Sequence, residues 1–375
     1  MIVNARKNIL IVGLGLMGGS YGQALKRFGF HVSAITRSQK SIDYAIENGI
    51  IDDGTTEIDK DLIGNADFVV FALYPHVFVE WIEKYQQYFK PGCLITDVTG
   101  VKSSVVYKIQ DMLRDDVEFI AAHPMAGREV YGVENSRASM FQNANYIVTP
   151  TKKNTKKAID TCKEIGLLLG FGTISELSPE KHDEMIAFVS QLTHCIAVAL
   201  MTCNDEENME RFTGDSFRDL TRIARINDAM WSELFKMNKE VLLDEITEFV
   251  NEMKFDRMGC FAYSEEENTP AAKMEPQLDL EVRQHRADVL MEQQMQISAA
   301  LTAARVGTVT EAVVEHFSEE HNTWMGRTAA DAPEVDGCIL ISADKNTELH
   351  AGQFVTVRIT DTLNDYDLIG EVVQE

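Results

Sequence analysis

The stretch NILIVGLGLMGGS, residues 8–20, joins a short apolar run to a glycine-rich turn. Residues 9–12 predict a buried strand, and a GxGxxG spacing follows it directly before a helical pattern. In that setting Gly13 makes the tight turn, Gly15 lets the backbone approach a pyrophosphate, and Gly18 lets helix and strand pack closely. The helix N-terminus adds amide donors for the anion, so the turn predicts a dinucleotide site. Its predicted cofactor-binding residues are Gly13, Gly15, Leu16, Met17 and Gly18.

The end of the second predicted strand indicates which dinucleotide binds. An Asp or Glu at this point would accept a hydrogen bond from the ribose 2′-hydroxyl of NAD. The sequence instead has Thr36, Arg37 and Ser38, with Lys40 nearby. Because the Arg37 guanidinium can pair with a 2′-phosphate, we expect NADP to be favoured over NAD. The alternative is that Arg37 is a solvated loop residue.

The first 150 residues alternate short apolar runs with helical patterns. This alternation predicts a parallel sheet with crossover helices, an α/β Rossmann domain. The predicted strands are residues 9–12, 31–35, 67–73, 93–97, 118–121, 145–148 and 172–174.

Past Ser178 the pattern becomes helical. Ser178 and Pro179 predict a helix start, and residues 185–201 are apolar nearly all round, which predicts a buried helix. Further helices are predicted over 216–226 and 229–250, with Asn227 or Asp228 as the cap between them. An all-helical second domain follows from this reading.

The remainder of the chain predicts a third kind of structure. Residues 255–264 form a strand-like run, 265–276 an acidic loop, 277–305 a helix, and several short strands with Gly turns follow from 309. We therefore predict four parts: a dinucleotide-binding domain over 1–175, a helical domain over 176–250, a connector over 251–304 and a small β-barrel over 305–375.

Composition restricts the partners. The chain of 375 residues has 59 Asp and Glu against 35 Lys and Arg, a formal charge of −24, so nucleic acid is not an expected partner. No run approaches the roughly 20 apolar residues that span a bilayer, and the six cysteines show no CxxC or CxxxCxxC spacing. We expect a cytoplasmic protein with free thiols, no membrane contact and no metal site.

Three further motifs point to a reaction. They are DVTGVK at 97–102, HPMAGRE at 123–129, and FRDLTRIA at 217–224 followed by NDAMW at 227–231. With the glycine turn, they make residues 6–248 resemble the prephenate/arogenate dehydrogenase family of tyrosine biosynthesis. The resemblance implies an oxidative decarboxylation, in which hydride passes from a hydroxyl-bearing ring carbon to the nicotinamide and the ring carboxylate leaves as CO2.

The resemblance also implies residue roles. His123 matches the family's catalytic histidine, a group whose pKa suits proton acceptance near neutrality. His194 matches a second active-site histidine, and Arg222 the arginine that binds a substrate carboxylate. The alternatives are a core histidine for His194 and a solvated helix face for Arg222; His182 is expected near a helix start, outside the chemistry. The predicted substrate-binding residues are Arg222, Ser190, Gln191, Glu129 and Thr99.

Two positions depart from the family pattern. Many members carry a serine that hydrogen-bonds the catalytic histidine where this chain has Gly100, and many carry a histidine where it has Gln191. Thr99 is adjacent to the first position but can point elsewhere. The contact that orients His123 is therefore open at this stage, as is the choice between prephenate and arogenate.

The C-terminal 125 residues resemble a different family. FDRMGCFAYS at 255–264, GRT at 326–328 and DAPEVDG at 331–337 are similar to the end of a radical-SAM methylthiotransferase that modifies a ribosomal protein, whose TRAM domain would begin near 305. The family's CxxxCxxC cluster motif is absent, so no radical chemistry is expected. Residues 251–375 hold 24 acidic and 9 basic side chains, which favours a basic protein partner over RNA. A fusion remnant without function is the alternative.

Two rival functions remain at this stage. One is a β-hydroxyacid-type dehydrogenase, and the other is a ribosome-associated binding protein acting through the tail. For the dehydrogenase reading we expect a homodimer through the helical domain, because one small domain cannot cover an apolar helix on all sides. We also expect that cutting the chain after about residue 252 leaves the enzyme intact.

Overall fold

A computed structural model of the protein describes residues 7–128, 130–202, 209–264, 279–333, 335–344 and 347–373. The chain divides into two compact units, Met1–Glu245 and Ile246–Glu375. The first unit contains the predicted dinucleotide-binding domain and most of the helical domain. The second contains the connector and the barrel, so these two predicted parts form one compact body.

A six-stranded parallel sheet forms the centre of the first unit, with strand order β3-β2-β1-β4-β5-β6. This is the doubly wound order in which a ligand crevice opens between the ends of β1 and β4. The strands are β1 Asn8–Val12, β2 His31–Ile35, β3 Asp53–Thr55, β4 Phe68–Phe71, β5 Leu94–Asp97 and β6 Glu118–Phe119. The helices are α1 Leu16–Lys26, α2 Gln39–Glu47, α3 Lys60–Asn65, α4 Pro75–Tyr85 and α5 Ser103–Met112.

Strand β1 shows why an unbroken apolar run forms the middle of this sheet. Ile9 and Ile11 belong to the core on one face, whereas Leu10 and Val12 belong to the core on the other. All four side chains are at most 2% exposed. Because successive side chains of a strand point to opposite faces, both faces of the central strand must be apolar.

The run predicted as one strand over 118–121 is two strands. After β6 the chain starts β7, Ala121–Met125, which pairs antiparallel with β8, Asn145–Thr149; β8 pairs in parallel with β9, Thr173–Glu176. Helix α6, Lys156–Leu169, connects β8 and β9. His123 therefore lies within a strand of a second, three-stranded sheet. A single strand over 118–121 would have ended before His123, but the chain changes its pairing partners at residue 120 and continues as β7.

The first helical segment of the second domain is continuous but not uniform. It consists of α7 Pro179–Ile186, a π-helical turn Ala187–Leu192 and α8 Thr193–Thr202. Ser178 caps it as predicted, since its hydroxyl accepts from the Lys181 amide at 3.2 Å. The prediction that this helix is buried all round is wrong for a single chain. Phe188, Val189 and Met201 are each about half exposed.

By length and composition alone, Pro179–Met201 could cross a membrane, but 28% of its apolar window is buried in the chain. A core helix of a soluble protein passes the same test. The segment is therefore weak evidence for a membrane span.

The rest of the helical domain contains a break that the sequence pattern does not show. Its elements are α9 Asp215–Thr221, a 3-10 turn Arg222–Ala224, α10 Asp228–Met237 and α11 Lys239–Met253. The predicted helix over 229–250 is thus two helices, separated at Asn238. The buried Asn238 amide donates to the Asp183 carbonyl at 2.9 Å and to Gln191 Oε1 at 2.8 Å. Of the two predicted caps, Asn227 is the residue that caps α10, because its side-chain oxygen accepts from the Met230 amide at 3.2 Å.

In the second unit, residues 255–264 form no strand, contrary to the prediction. They lie along helix α12, Leu280–Ala304, because polar side chains of that helix hold their carbonyl groups. Gln294 Nε2 donates to the Phe255 carbonyl at 2.6 Å, and Ser298 Oγ donates to the Asp256 carbonyl at 3.0 Å. The predicted acidic loop over 265–276 lies outside the described residues.

Five strands close into a barrel in the order β10-β11-β12-β14-β13. They are β10 Val309–Ser318, β11 Thr323–Thr328, β12 Ile339–Ser342, β13 Phe354–Thr362 and β14 Leu368–Val372. The alternating inward residues form a closed apolar core around Val314, Ile341 and Val357, each fully buried. The barrel expected from the sequence is confirmed.

Candidate active site

The glycine turn has the geometry that its spacing predicts. Gly13 has φ +97°, and a Cβ built there would lie 2.4 Å from the Ala72 carbonyl oxygen. A Cβ at Gly18 would lie 2.0 Å from the Gly13 carbonyl oxygen, so neither position admits a side chain. At Gly15 a Cβ would meet no heavy atom within 4 Å, which leaves the start of α1 open to a bound phosphate group. These observations fit a dinucleotide pyrophosphate.

The turn after β2 is open on the side where a ribose would lie. Arg37 is exposed, and Thr36 is held by its amide, which donates to the Thr55 carbonyl at 3.2 Å. Ser38 caps α2, since its hydroxyl accepts from the Ser41 amide at 3.2 Å. Of the three predicted residues, Ser38 thus has a structural contact, and Arg37 is the one whose charge faces solvent.

A buried ion pair lies beside strand β7. Lys102 and Asp97 are fully buried, with Lys102 Nζ 2.7 Å from Asp97 Oδ2. Lys102 Nζ also donates to the Ala122 carbonyl at 2.7 Å, while the other Asp97 oxygen accepts from the Ala122 amide at 3.1 Å. Thr99 donates its hydroxyl to Asp97. The pair therefore fixes β7 to β5 one residue before His123, and the Thr99 hydroxyl is used inside this cluster.

Two residues of helix α7 hold the His123 ring. His123 Nδ1 lies 2.8 Å from His182 Nε2, and His182 Nδ1 lies 2.8 Å from Asp183 Oδ1. Asp183 in turn accepts from the backbone amides of Lys102 at 2.8 Å and Ser103 at 2.7 Å, at the start of α5. His182 lies in the first turn of α7, near the helix start as expected, and its ring also contacts the His123 ring.

Burial and neighbouring charges set the protonation states of the histidine row, which consists of His123, His182 and Asp183. Burial lowers the pKa of His123 well below 6.5, and the nearby His182 and Lys102 act in the same direction. Burial also lowers the pKa of His182, although Asp183 opposes the shift. For Asp183, burial would raise the pKa, but hydrogen bonds from His182 and Ser103 outweigh it and lower the pKa. The row therefore holds two neutral imidazoles beside one carboxylate at neutral pH.

Gly100 lies against the His123 ring without contributing a hydrogen bond from a side chain. A Cβ built at Gly100 would be 4.0 Å from His123 Cε1 and 3.2 Å from a methyl group of Leu234. Leu234, on α10, is buried in the core that lines this face of the main sheet. Helix α10 thus packs against Gly100, and Leu234 occupies the space next to it.

His194 and Ser190 lie on the same helical segment, as predicted. His194 Nδ1 donates to the Ser190 carbonyl at 2.7 Å, and the His194 ring stacks on Trp231 with centroids 3.7 Å apart. Trp231 lies one turn before Leu234 on α10 and packs against the same core, which agrees with a packing role. Helix α8 also packs against the 3-10 turn that begins at Arg222. Arg222 itself is exposed.

Of the predicted substrate-binding residues, Gln191 is buried and hydrogen-bonded within the helical domain. Gln191 is 1% exposed, and its amide donates to the Leu234 carbonyl at 3.1 Å and accepts from Asn238, so it joins α10 and α11 to the π-helical turn. Glu129 lies outside the described residues. Sequence reasoning missed the hydrogen bonds that link His123 to His182 and Asp183, although the adjacent His-Asp pair directly after a helix start was a signal that could have prompted them.

The two sheets, the open glycine turn and the histidine row define a dinucleotide-dependent oxidoreductase with a helical second domain. Family profiles match "Prephenate dehydrogenase, nucleotide-binding domain" over residues 21–173, "Prephenate dehydrogenase, dimerization domain" over 178–258 and "TRAM domain" over 306–373. The prephenate dehydrogenase of Bacillus subtilis is 32% identical over 269 residues, covering 70% of this chain and 71% of its own. The chain belongs to the prephenate dehydrogenase family and carries a TRAM domain at its C-terminal end.

Two further comparisons cover the two parts separately. The crystal structure of prephenate dehydrogenase from A. aeolicus, in complex with hydroxyphenyl propionate and NAD+, matches with a TM-score of 0.61 and 33% identity, covering 67% of this chain and 89% of that one. The ribosomal protein uS12 methylthiotransferase RimO of Bdellovibrio bacteriovorus is 46% identical over 133 residues. That match spans 35% of this chain and only 28% of the methylthiotransferase.

Proposed function

We propose that the protein oxidises and decarboxylates prephenate, with arogenate as the alternative substrate. The observation that carries the proposal is His123 itself. It is a histidine kept neutral by burial and held by a second histidine, in a chain whose relatives include prephenate dehydrogenase. A neutral imidazole can accept the proton of the ring hydroxyl as hydride leaves the same carbon.

The reaction balances with one base and one hydride acceptor. The C–H bond at the hydroxyl-bearing carbon breaks, and bound NAD(P)+ supplies the site that takes up the hydride. The C–CO2 bond breaks on the opposite side of the ring, and its electron pair completes the aromatic ring. The proton that His123 accepts returns to the phenol oxygen, so the residue ends the cycle in its starting state.

The remaining predicted residues act on substrate and cofactor in this proposal. Arg222 pairs with a substrate carboxylate, and His194 and Ser190 face the substrate from the helical domain. Glu129 stays a predicted substrate-binding residue. Thr99 and Gln191 support the site indirectly, because their polar groups are already engaged with Asp97 and with Leu234 and Asn238.

We also propose NADP as the favoured cofactor. The exposed Arg37 at the end of β2 supports this preference, since its guanidinium can pair with a 2′-phosphate. The protein from A. aeolicus was crystallised with NAD+. The two cofactors therefore have to be compared directly.

A homodimer is the proposed assembly, and the apolar surface of the helical domain supports it. Phe188, Val189 and Met201 are exposed in the single chain, within the segment matched to a dimerization domain. A second subunit can cover them. For the acidic C-terminal part we propose a basic protein partner, because 24 acidic against 9 basic residues repel a phosphate backbone.

The test is an assay of the purified protein with prephenate and with arogenate, each with NAD+ and with NADP+, followed by reduced-cofactor absorbance and CO2 release. We expect turnover in which equal amounts of reduced cofactor and CO2 are formed. His123→Asn keeps a polar side chain and removes the base, so turnover should fall roughly 10²–10⁴-fold while cofactor affinity is unchanged. Absence of turnover in all four combinations would overturn the proposal and favour a binding protein acting through the tail.

A further inference from the structure

The histidine row allows the protonated nitrogens to be assigned, and this inference rests on the proposed function. The Asp183 carboxylate can only accept, so His182 Nδ1, 2.8 Å away, carries the proton of that bond. A neutral His182 then has a bare Nε2. Its partner, His123 Nδ1, must donate across the 2.8 Å between them. His123 Nε2 is left without a proton.

Asp183 is itself held in one orientation. Its two oxygens accept from the Lys102 and Ser103 amides at the N-terminus of α5, where a negative charge is favourable. The carboxylate therefore stays ionised and keeps accepting from His182. Residues from α7 and from the start of α5, in two different domains, fix the state of one ring on β7.

The side facing Gly100 offers no substitute for this arrangement. Gly100 has no side chain to hydrogen-bond the ring, and the space next to it is filled by the apolar Leu234. Lys102 Nζ, which also lies near His123, donates to Asp97, Thr99 and Ala122. Orientation of His123 therefore depends on His182.

We propose that His182 and Asp183 are the positioning pair of this dehydrogenase: they hold His123 with its proton on Nδ1 so that Nε2 accepts the substrate hydroxyl proton. When Nε2 takes that proton, the Nδ1 proton can move along the hydrogen bond to His182 Nε2. The positive charge then lies beside the Asp183 carboxylate. Both protons return when the phenol oxygen is reprotonated, so the step leaves no net change in the protein.

The test compares His182→Leu, which has no acceptor, with His182→Gln, whose side-chain carbonyl can accept from His123 Nδ1. We expect kcat to fall roughly 10²–10³-fold in His182→Leu and clearly less in His182→Gln, with the KM for the cofactor unchanged in both. If the role of His182 were purely structural, kcat would fall equally in both variants and their Tm values would fall together.

A spectroscopic measurement separates orientation from folding. In 15N-histidine NMR spectra, with His123→Asn used to assign the signal, His123 should show a protonated Nδ1 and a bare Nε2 in the wild type and in His182→Gln. In His182→Leu the signal should show both tautomers. A wild-type His123 with its proton on Nε2 overturns the proposal even if no variant folds, and so does a His182→Leu protein with wild-type kcat. Because this measurement needs no turnover, it also stands if the proposed substrate is wrong.

Discussion

At the scale of the residue, the most consequential property is the neutral state of His123. Its ring faces His182 from α7 and Lys102 from the β5–α5 connection, and burial adds to the effect of both. A general base must be unprotonated before the reaction begins. The site therefore holds the proposed base in its unprotonated form, because the lowered pKa weakens proton binding to His123.

This lowered pKa predicts the pH dependence of the reaction. Loss of kcat/KM on acidification should begin below pH 6.5, the ordinary histidine value, because the folded protein protonates His123 only at lower pH. Stability should fall in the same direction. An unfolded histidine takes up a proton first, so unfolding is favoured as the pH drops below 6.5. A pH–rate profile with an acidic limb above pH 7 would contradict the assignment.

A second prediction concerns Arg222. Arg222→Ala should mainly raise the substrate KM, since a carboxylate ligand binds the ground and transition states alike. Arg218→Ala is the matched control, because Arg218 is an exposed arginine one turn earlier that pairs with Asp215 at 2.8 Å. Steady-state kinetics should show little change in the control. A collapse of kcat at constant KM would show that Arg222 acts on the transition state instead.

The roles of Gly13 and Gly18 in the glycine turn could be predicted from the sequence because a turn is local. Its φ angles and close contacts involve neighbours in sequence or the next strand. The contact between His123 and His182 was not predictable in the same way. It joins residues 59 positions apart, and it depends on how α7 packs against β7. The glycine at position 100 left the contact that orients His123 open, and nothing in the sequence pointed to His182.

At the scale of the element, the turn between β2 and α2 carries the cofactor prediction. Arg37→Asp should shift the preference from NADP towards NAD, by removing a phosphate partner and adding a ribose acceptor. Lys40→Asp adds the same charge in the first turn of α2 and leaves Arg37 in place. The ratio of kcat/KM values for the two cofactors is the measurement. An equal shift in both variants, or none in Arg37→Asp, would make Arg37 an ordinary surface residue.

The observed bounds of an element matched the predicted ones where burial alone decides them. The strand over 31–35 begins and ends as predicted, because its apolar run is buried on both faces. The breaks at residues 120 and 238 were missed for different reasons. The first is set by a change of pairing partner, and the second is marked by a buried asparagine whose amide bridges α7 and the π-helical turn.

At the scale of the whole molecule, the two compact units predict separable functions. A chain ending after Lys254 keeps α11 complete and removes the connector and barrel. We expect it to retain dehydrogenase activity and dimer mass, measured by steady-state assay and light scattering. A chain ending after Arg305, which removes only the barrel, is the control. If the shorter protein is monomeric or inactive while the longer one is not, the connector belongs to the enzyme.

The closed barrel has a consequence for how such a protein can arise. Its five strands form a ring that the antiparallel β10–β13 pair closes, so each strand has two neighbours. A ring of this kind offers no free strand edge to a neighbouring protein. Recombination between two genes can therefore attach it to an unrelated enzyme without creating a new site of aggregation. Such a fusion then carries no aggregation penalty for selection to act against.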